Sequence, residues 1–381
     1  MRSLELNRLF YQECVAPVLE EHCPTIAQRH AAALMGWGSE VLGNDDDFSK
    51  RYGWGPRVIL FLEQGEYTIW KGKLARLLED HIPPTFLAVP TRYTDPTRGA
   101  PRPTLEAGGV LQVPITTCER FCELYLGLSS VPTPAAPLSS HEWLLINEAS
   151  LLRLTSGEVY HDGIGELSWL RHNLHYFPDD VWRYRLAYQW TALSWDIDLI
   201  GLCAHRGDAL SARIAAAESV RRIIGLVFLL NRTYQPGYQK WLHRQFYKLP
   251  RLADEVGSAL EGALTTANCA SIPAMLYPVL DRLIEFQGEV AGIMVADYKQ
   301  PAPLDPGFFA YDLQIVIDAI WNTIRGELCQ TRNRIGALDQ WVNDQDVLMS
   351  PPHLRALETV YALDDPLHLL RKRNRSEDRF L

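Results

Sequence analysis

Trp182, Leu186, Trp190, Leu193, Ile197 and Ile200 repeat at spacings of three and four residues, and this stripe constrains the fold more than any other feature. Apolar residues at that period share one face of a helix, and the face has to be buried. The pattern returns in Leu210, Ile214, Ala217, Val220, Ile224 and Val227, and in Leu276, Leu280, Leu283 and Ile284. It returns again in Leu313, Val316, Ile320, Ile324 and Leu328. Several one-sided helices bury their faces against one another, so residues 141–381 are expected to form a larger, all-α helical bundle.

The first 130 residues read differently. Leu4, Leu9, Val15 and Leu19 roughly line one face, and Pro24 separates two expected helices over residues 3–35. Val58–Leu62, Phe86–Val89 and Val110–Val113 read as short strands, with a helix around Leu74–Leu78 between the first two. The expected fold class is therefore α+β, with a small mixed-sheet domain at 1–130 ahead of the helical one. Residues 129–137, Ser-Ser-Val-Pro-Thr-Pro-Ala-Ala-Pro, break all periodicity and read as the linker. A chain of 381 residues is long enough for two or three domains, each with its own core.

Composition excludes several classes. A net charge of −9 argues against a general nucleic-acid partner, whose phosphates are met by Lys and Arg. No apolar run approaches the roughly 20 residues of a membrane span, and the start lacks a secretory core. Seven scattered cysteines, an odd number, point to reduced thiols and a cytoplasmic setting. Cys118 and Cys122 lack a second pair at zinc spacing and read as packing thiols. The cluster Arg371-Lys372-Arg373-Asn374-Arg375 is either a solvated end or a weak anionic contact.

Chemistry concentrates at Gly36-Trp37-Gly38-Ser39-Glu40-Val41-Leu42-Gly43, followed by Asn44-Asp45-Asp46-Asp47 and by Arg51-Tyr52-Gly53-Trp54-Gly55-Pro56-Arg57. Read as a helix ending in Gly-Ser, then an acidic loop, then an apolar strand, this stretch resembles the nucleotide-gripping corner of the nucleotidyltransferase superfamily. Further landmarks are His161-Asp162-Gly163-Ile164-Gly165-Glu166-Leu167, Tyr176–Trp182, Arg206–Leu210, Tyr238–Trp241 and Gly336–Gln340. Together they resemble a bacterial family of nucleotidyltransferase-like proteins known only as a domain of unknown function. The resemblance implies backbone N–H groups at Gly38 and Ser39 approaching phosphate oxygens. It also implies an Asp-x-Asp pair holding magnesium ions, with ATP or another nucleotide as ligand or substrate. Here Arg51 and Gly53 stand at those two places, and Gln112 is the candidate for the third carboxylate position.

Two substitutes for the missing ligands present themselves. Asp45 and Asp47 keep the Asp-x-Asp spacing a few residues early and would hold a metal, or they form an acidic turn. Arg51 would place positive charge directly on a phosphate, or pair with the neighbouring aspartates. Arg57 and Lys240 are further candidates for phosphate contact, each with a salt bridge or a solvated position as the alternative. Trp37 and Trp54 would stack on a base or pack as wall residues.

Asp162 and Glu166, in a glycine-punctuated loop, are the candidate catalytic carboxylates, with helix capping as the alternative. Asp208 reads as a helix cap, and Asp339-Gln340 as a structural turn. The expectation is a nucleotidyltransferase-fold protein with an altered metal corner, a pseudoenzyme candidate, binding a nucleotide or phosphorylated small molecule in a cleft between its domains. An active magnesium-dependent nucleotidyltransferase acting on a small hydroxylated acceptor, and a pure interaction protein, are the alternatives.

Overall fold

The computed structural model describes residues 1–51, 53–95, 100–237, 239–299, 311–331 and 334–362, without the side chains of Arg51 and Ala362. The basic cluster 371–375 lies outside the described residues. The chain falls into two compact units, residues 1–137 with 149–175, and residues 138–148 with 176–381. Periodicity alone set the boundary between 130 and 141; here a strand at 158–162 completes the sheet of the first unit.

In the first unit, α1 (Ser3–Phe10) continues through a π turn at Tyr11–Val15 into α2 (Ala16–His22). Pro24 opens α3 (Pro24–Gln28), where its missing N–H costs nothing. The helical reading of 3–35 ends there, because His30–Leu34 form strand β1. Alanine is the best helix former, yet Ala31, Ala32 and Ala33 sit in the middle of a sheet and are completely buried. Packing on both faces decides their conformation, and small side chains are what a doubly covered central strand accommodates.

β1 pairs antiparallel with β2 (Ile59–Leu62), with Ala32 opposite Leu60. After α4 (Gln64–His81), the run expected as one strand at 86–89 folds back on itself. Strands β3 (Thr85–Phe86) and β4 (Val89–Pro90) pair across Leu87 and Ala88, whose φ angles are 47° and 64°. Positive φ at both central residues is the hairpin geometry that matches strand twist. β5 (Arg92–Tyr93) lies between β6 (Pro103–Thr104) and β7 (Val110–Leu111). β8 (Ile115–Thr116) runs parallel to β2 and leads into α5 (Cys118–Leu126).

α6 (Ser140–Leu145) belongs to the second unit, and α7 (Glu148–Thr155), β9 (Glu158–Asp162) and α8 (Glu166–Asn173) follow. β9 pairs antiparallel with β1, giving the order β8-β2-β1-β9. On one face of this sheet Ala32, Leu60 and Leu62 pack with Leu6, Phe10, Leu19, Leu74 and Leu78 of α1, α2 and α4. On the other, Phe61 meets Phe121 of α5 at 5.5 Å. The period of two within β2 thus separates two apolar layers.

The second unit is helical among its described residues. Its main elements are α9 (Asp179–His205), α10 (Ala209–Leu230), α11 (Leu242–Phe246), α12 (Ala253–Thr265), α13 (Ile272–Ala291), α14 (Leu313–Trp321) and α15 (Leu338–Trp341). The stripe from Trp182 to Ile200 is buried along α9 as its spacing predicts. α10 departs from expectation: Leu210 and Ile214 are exposed, and its buried face opens with Ala212, Ala215, Ala216 and Ser219. Small residues at a helix contact let the axes approach closely. Among the described residues no helix is long and apolar enough to cross a membrane.

Candidate functional site

At the end of β1 the chain turns through Gly36-Trp37-Gly38-Ser39, so the Gly-Ser pair follows a strand and not the helix expected from sequence. Gly36 and Gly38 have φ of 84° and 133°. A Cβ on Gly36 would fall 2.6 Å from the Tyr125 hydroxyl, and one on Gly38 would strike the Glu40 carboxylate and the Arg57 guanidinium. Glycine is therefore required at both positions. Ser39 O accepts from Leu42 N at 3.2 Å and Asn44 N at 2.9 Å, closing the turn. Gly36 N donates to Arg153 O at 3.1 Å and Gly157 N to Val41 O at 3.0 Å, which fastens the corner to the α7–β9 connection.

Arg57 enters from the start of β2. Its backbone N–H donates to Asn7 Oδ1 at 2.5 Å, and its Nη2 donates to Trp37 O at 2.7 Å and forms an ion pair with Glu40. Val58 N donates to Gln112 O at 3.1 Å, bringing Gln112 beside this residue. Three buried donors here have no acceptor among the described residues: Arg57 Nε, Trp54 Nε1 and the Tyr93 hydroxyl. Tyr93 is only 1% exposed, and a Cβ on Gly55 (φ 142°) would collide with its hydroxyl. Burial raises the Tyr93 pKa, with Arg57 opposing and Glu40 adding to the effect. Trp37 is 50% exposed, and the Arg153 guanidinium lies 3.9 Å from its ring centroid.

The acidic loop does not fit a pair of divalent cations. Asp45 Oδ2 accepts from Ser3 N at 2.6 Å, and Asp46 Oδ1 accepts from Ser49 N at 2.8 Å. The Asp47 side chain is 95% exposed and pairs with Lys50 at 2.6 Å, which holds its pKa below the usual carboxylate range. Asp45 and Asp47 thus serve separate partners in a turn. Among the described residues no three His, Cys, Asp or Glu side chains are grouped to hold a metal ion. The Arg51 side chain lies outside the described residues.

The two candidate catalytic carboxylates are not brought to this corner. Asp162 stands opposite Ala31, five residues before Gly36 on β1, so the strand separates them by roughly 15 Å. Its two oxygens accept from Gly165 N at 2.9 Å and Ser168 N at 2.7 Å, a cap for α8. Glu166 is at the same far end, beside Cys118, and burial raises its pKa while the Cys118 hydrogen bond opposes the shift. Arg29 pairs there with Glu63, and with Glu66 at 3.6 Å. Lys240 belongs to the second unit, where its Nζ lies 4.9 Å from the ring of buried Trp241. Asp208 caps α10 through Ser211 N at 3.0 Å, as its position before the helix predicts.

A buried charge network that no spaced motif announces lies in the second unit. Arg185, on α9 and 1% exposed, forks onto Asp339 (Nη1–Oδ1 2.9 Å, Nη2–Oδ2 3.2 Å) and reaches Glu148 Oε2 at 3.0 Å. Glu148 Oε1 accepts from Gln235 N at 2.9 Å, and Glu148 N donates to Asp339 Oδ2 at 2.7 Å. Burial, resisted by Arg185 and reinforced by Asp339, pushes the Glu148 carboxyl up to about 7. The expected turn at Asp339-Gln340 is thus the far anchor of this network, with Gln340 Nε2 donating to Arg185 O at 2.9 Å. No sequence signal marks Arg185 or Tyr93, since neither belongs to a spaced motif.

Residues 143–242 match a family described as a domain of unknown function, DUF4037. The matched stretch includes Glu148, Asp162, Arg185 and Lys240, while Gly38, Ser39 and Arg57 lie outside it. No curated protein and no solved structure matches the chain.

Proposed function

We propose that the first unit is a nucleotidyltransferase-fold module whose Gly36–Ser39 corner binds a nucleotide or another phosphorylated small molecule through fixed donors and cationic charge. Magnesium held by an Asp-x-Asp pair is not part of this reading. The observation that carries it is the group of three orphaned buried donors, Arg57 Nε, Trp54 Nε1 and Tyr93 hydroxyl, around two glycine-dependent turns. Arginine and tryptophan only donate, so what completes them is an acceptor. Buried polar groups are nearly always satisfied, and a phosphate offers several anionic oxygens at once. The order of strand, Gly-Ser turn, acidic loop and antiparallel strand supports the same reading, as does Arg51 standing where the resemblance expects an acid.

Arg51→Ala tests the cationic part. ATP affinity measured by calorimetry in chelator is expected to fall at least about tenfold, in line with a charge-assisted contact worth ~1.5–3 kcal/mol. Unchanged affinity would remove Arg51 from the site.

A further inference from the structure

The two tryptophans that flank the corner part company in the structure. Trp54 is partly buried, packs against the apolar core of the first unit and has Lys50 5.3 Å from its ring centroid. Trp37 is presented outward at 50% exposure, although its backbone is pinned. Its carbonyl takes the Arg57 Nη2 hydrogen bond at 2.7 Å, and the Tyr125 hydroxyl bonds to its backbone. The glycines on either side cannot be replaced without collision, so the direction in which the indole leaves the chain is set by the turn itself. Arg153 lies against the ring at 3.9 Å from the centroid, holding its orientation by a cation–π contact. An oriented indole with half its surface in solvent, beside the Arg57 side chain whose buried Nε lacks an acceptor among the described residues, combines an aromatic platform with an anion site.

We infer that Trp37 is the stacking platform for a nucleobase, so that the ligand class of the corner is nucleotides and not sugar phosphates or inorganic phosphates. This rests on the anion-binding role proposed for the same corner. Every base has a π face, and stacking reads area more than hydrogen-bond pattern. The site therefore takes purine nucleotides best and separates ATP from GTP only weakly. It separates either from inorganic triphosphate strongly.

The test is calorimetric titration of the full chain with ATP, GTP, CTP, ribose 5-phosphate and inorganic triphosphate. Wild-type protein is compared with Trp37→Ala and Trp37→Phe, and thermal unfolding confirms that each variant folds. Trp37→Ala is expected to weaken ATP roughly ten- to hundredfold, the range of a lost base stack, and to leave inorganic triphosphate unchanged. Trp37→Phe keeps most of the ATP affinity. Equal ATP affinity in Trp37→Ala and wild type overturns the platform while leaving the anion site standing. So does triphosphate binding as tightly as ATP to the wild type, a comparison that needs no variant. Absence of binding by any of these ligands overturns both readings.

Discussion

Arg185→Met is expected to lower the free energy of unfolding by about 3–5 kcal/mol, the cost of leaving buried carboxylates without their counter-charge. Methionine keeps most of the volume, so the loss is electrostatic and not a cavity effect. Arg185 faces both Glu148 and Asp339, and through them α9 is joined, within the second unit, to the chain at Glu148 and at Gln235 and to α15. The cause is separable from the size of the effect. Adding Glu148→Gln and Asp339→Asn to Arg185→Met removes the stranded charges and is expected to restore part of the stability. Urea unfolding of the single and triple variants reads this directly. A loss below about 1 kcal/mol in the single variant would place the network on the level of an exposed ion pair.

The second large effect is a loss of stability in acid through His30. Its Nδ1 lies 3.0 Å from Ile26 O, which only accepts, so Nδ1 carries the proton and Nε2 accepts from the Tyr11 hydroxyl at 3.0 Å. Burial, with His161 stacked at a ring distance of 4.4 Å, depresses the His30 pKa to about 4. The unfolded chain takes up this proton near pH 6.5, while the folded chain resists it until about 4. Stability from His30 is thus complete above pH 6.5 and is lost as pH falls through 4, roughly 3 kcal/mol over that window. Glu148 acts in the opposite sense, because its raised pKa stabilises the fold below about 4.5 and that contribution is lost as pH rises through about 7. Comparison of wild type with His30→Gln cancels the Glu148 contribution. The difference in unfolding free energy between them is expected to shrink by roughly 3 kcal/mol from pH 7 to pH 4. A difference that does not change with pH would contradict the assignment.

Sequence pattern located the long elements and missed those whose conformation is decided by their surroundings. The stripe on α9 is legible because six large apolar side chains keep helical spacing and all of them are buried. β1 was illegible because three alanines carry no strand preference, and only the sheet on either side makes them extended. Leu87 and Ala88 hide a hairpin turn, since neither is a residue that normally takes positive φ. On α10 the large residues Leu210 and Ile214 misled, because the buried face of its first turns is made by small ones, with large residues taking over from Val220.

The same distinction holds at the corner. Gly36, Gly38, Ser39 and Arg57 were visible as a motif, and the structure gathers them at one end of β1. Glu40 lies within that motif, whereas Tyr93 and Arg153 were not visible, because they converge on it from two other segments. Asp162 and Glu166 looked like cleft residues by their glycine neighbours, yet pairing of β9 with β1 carries them to the other end of the sheet.

The corner is proposed to hold a phosphorylated ligand without a carboxylate-bound metal. Calorimetry of the full chain with ATP, once in excess EDTA and once in excess magnesium, tests it most directly. Saturable binding of similar affinity is expected in both buffers. Binding that appears only with magnesium, or no binding in either, would contradict it.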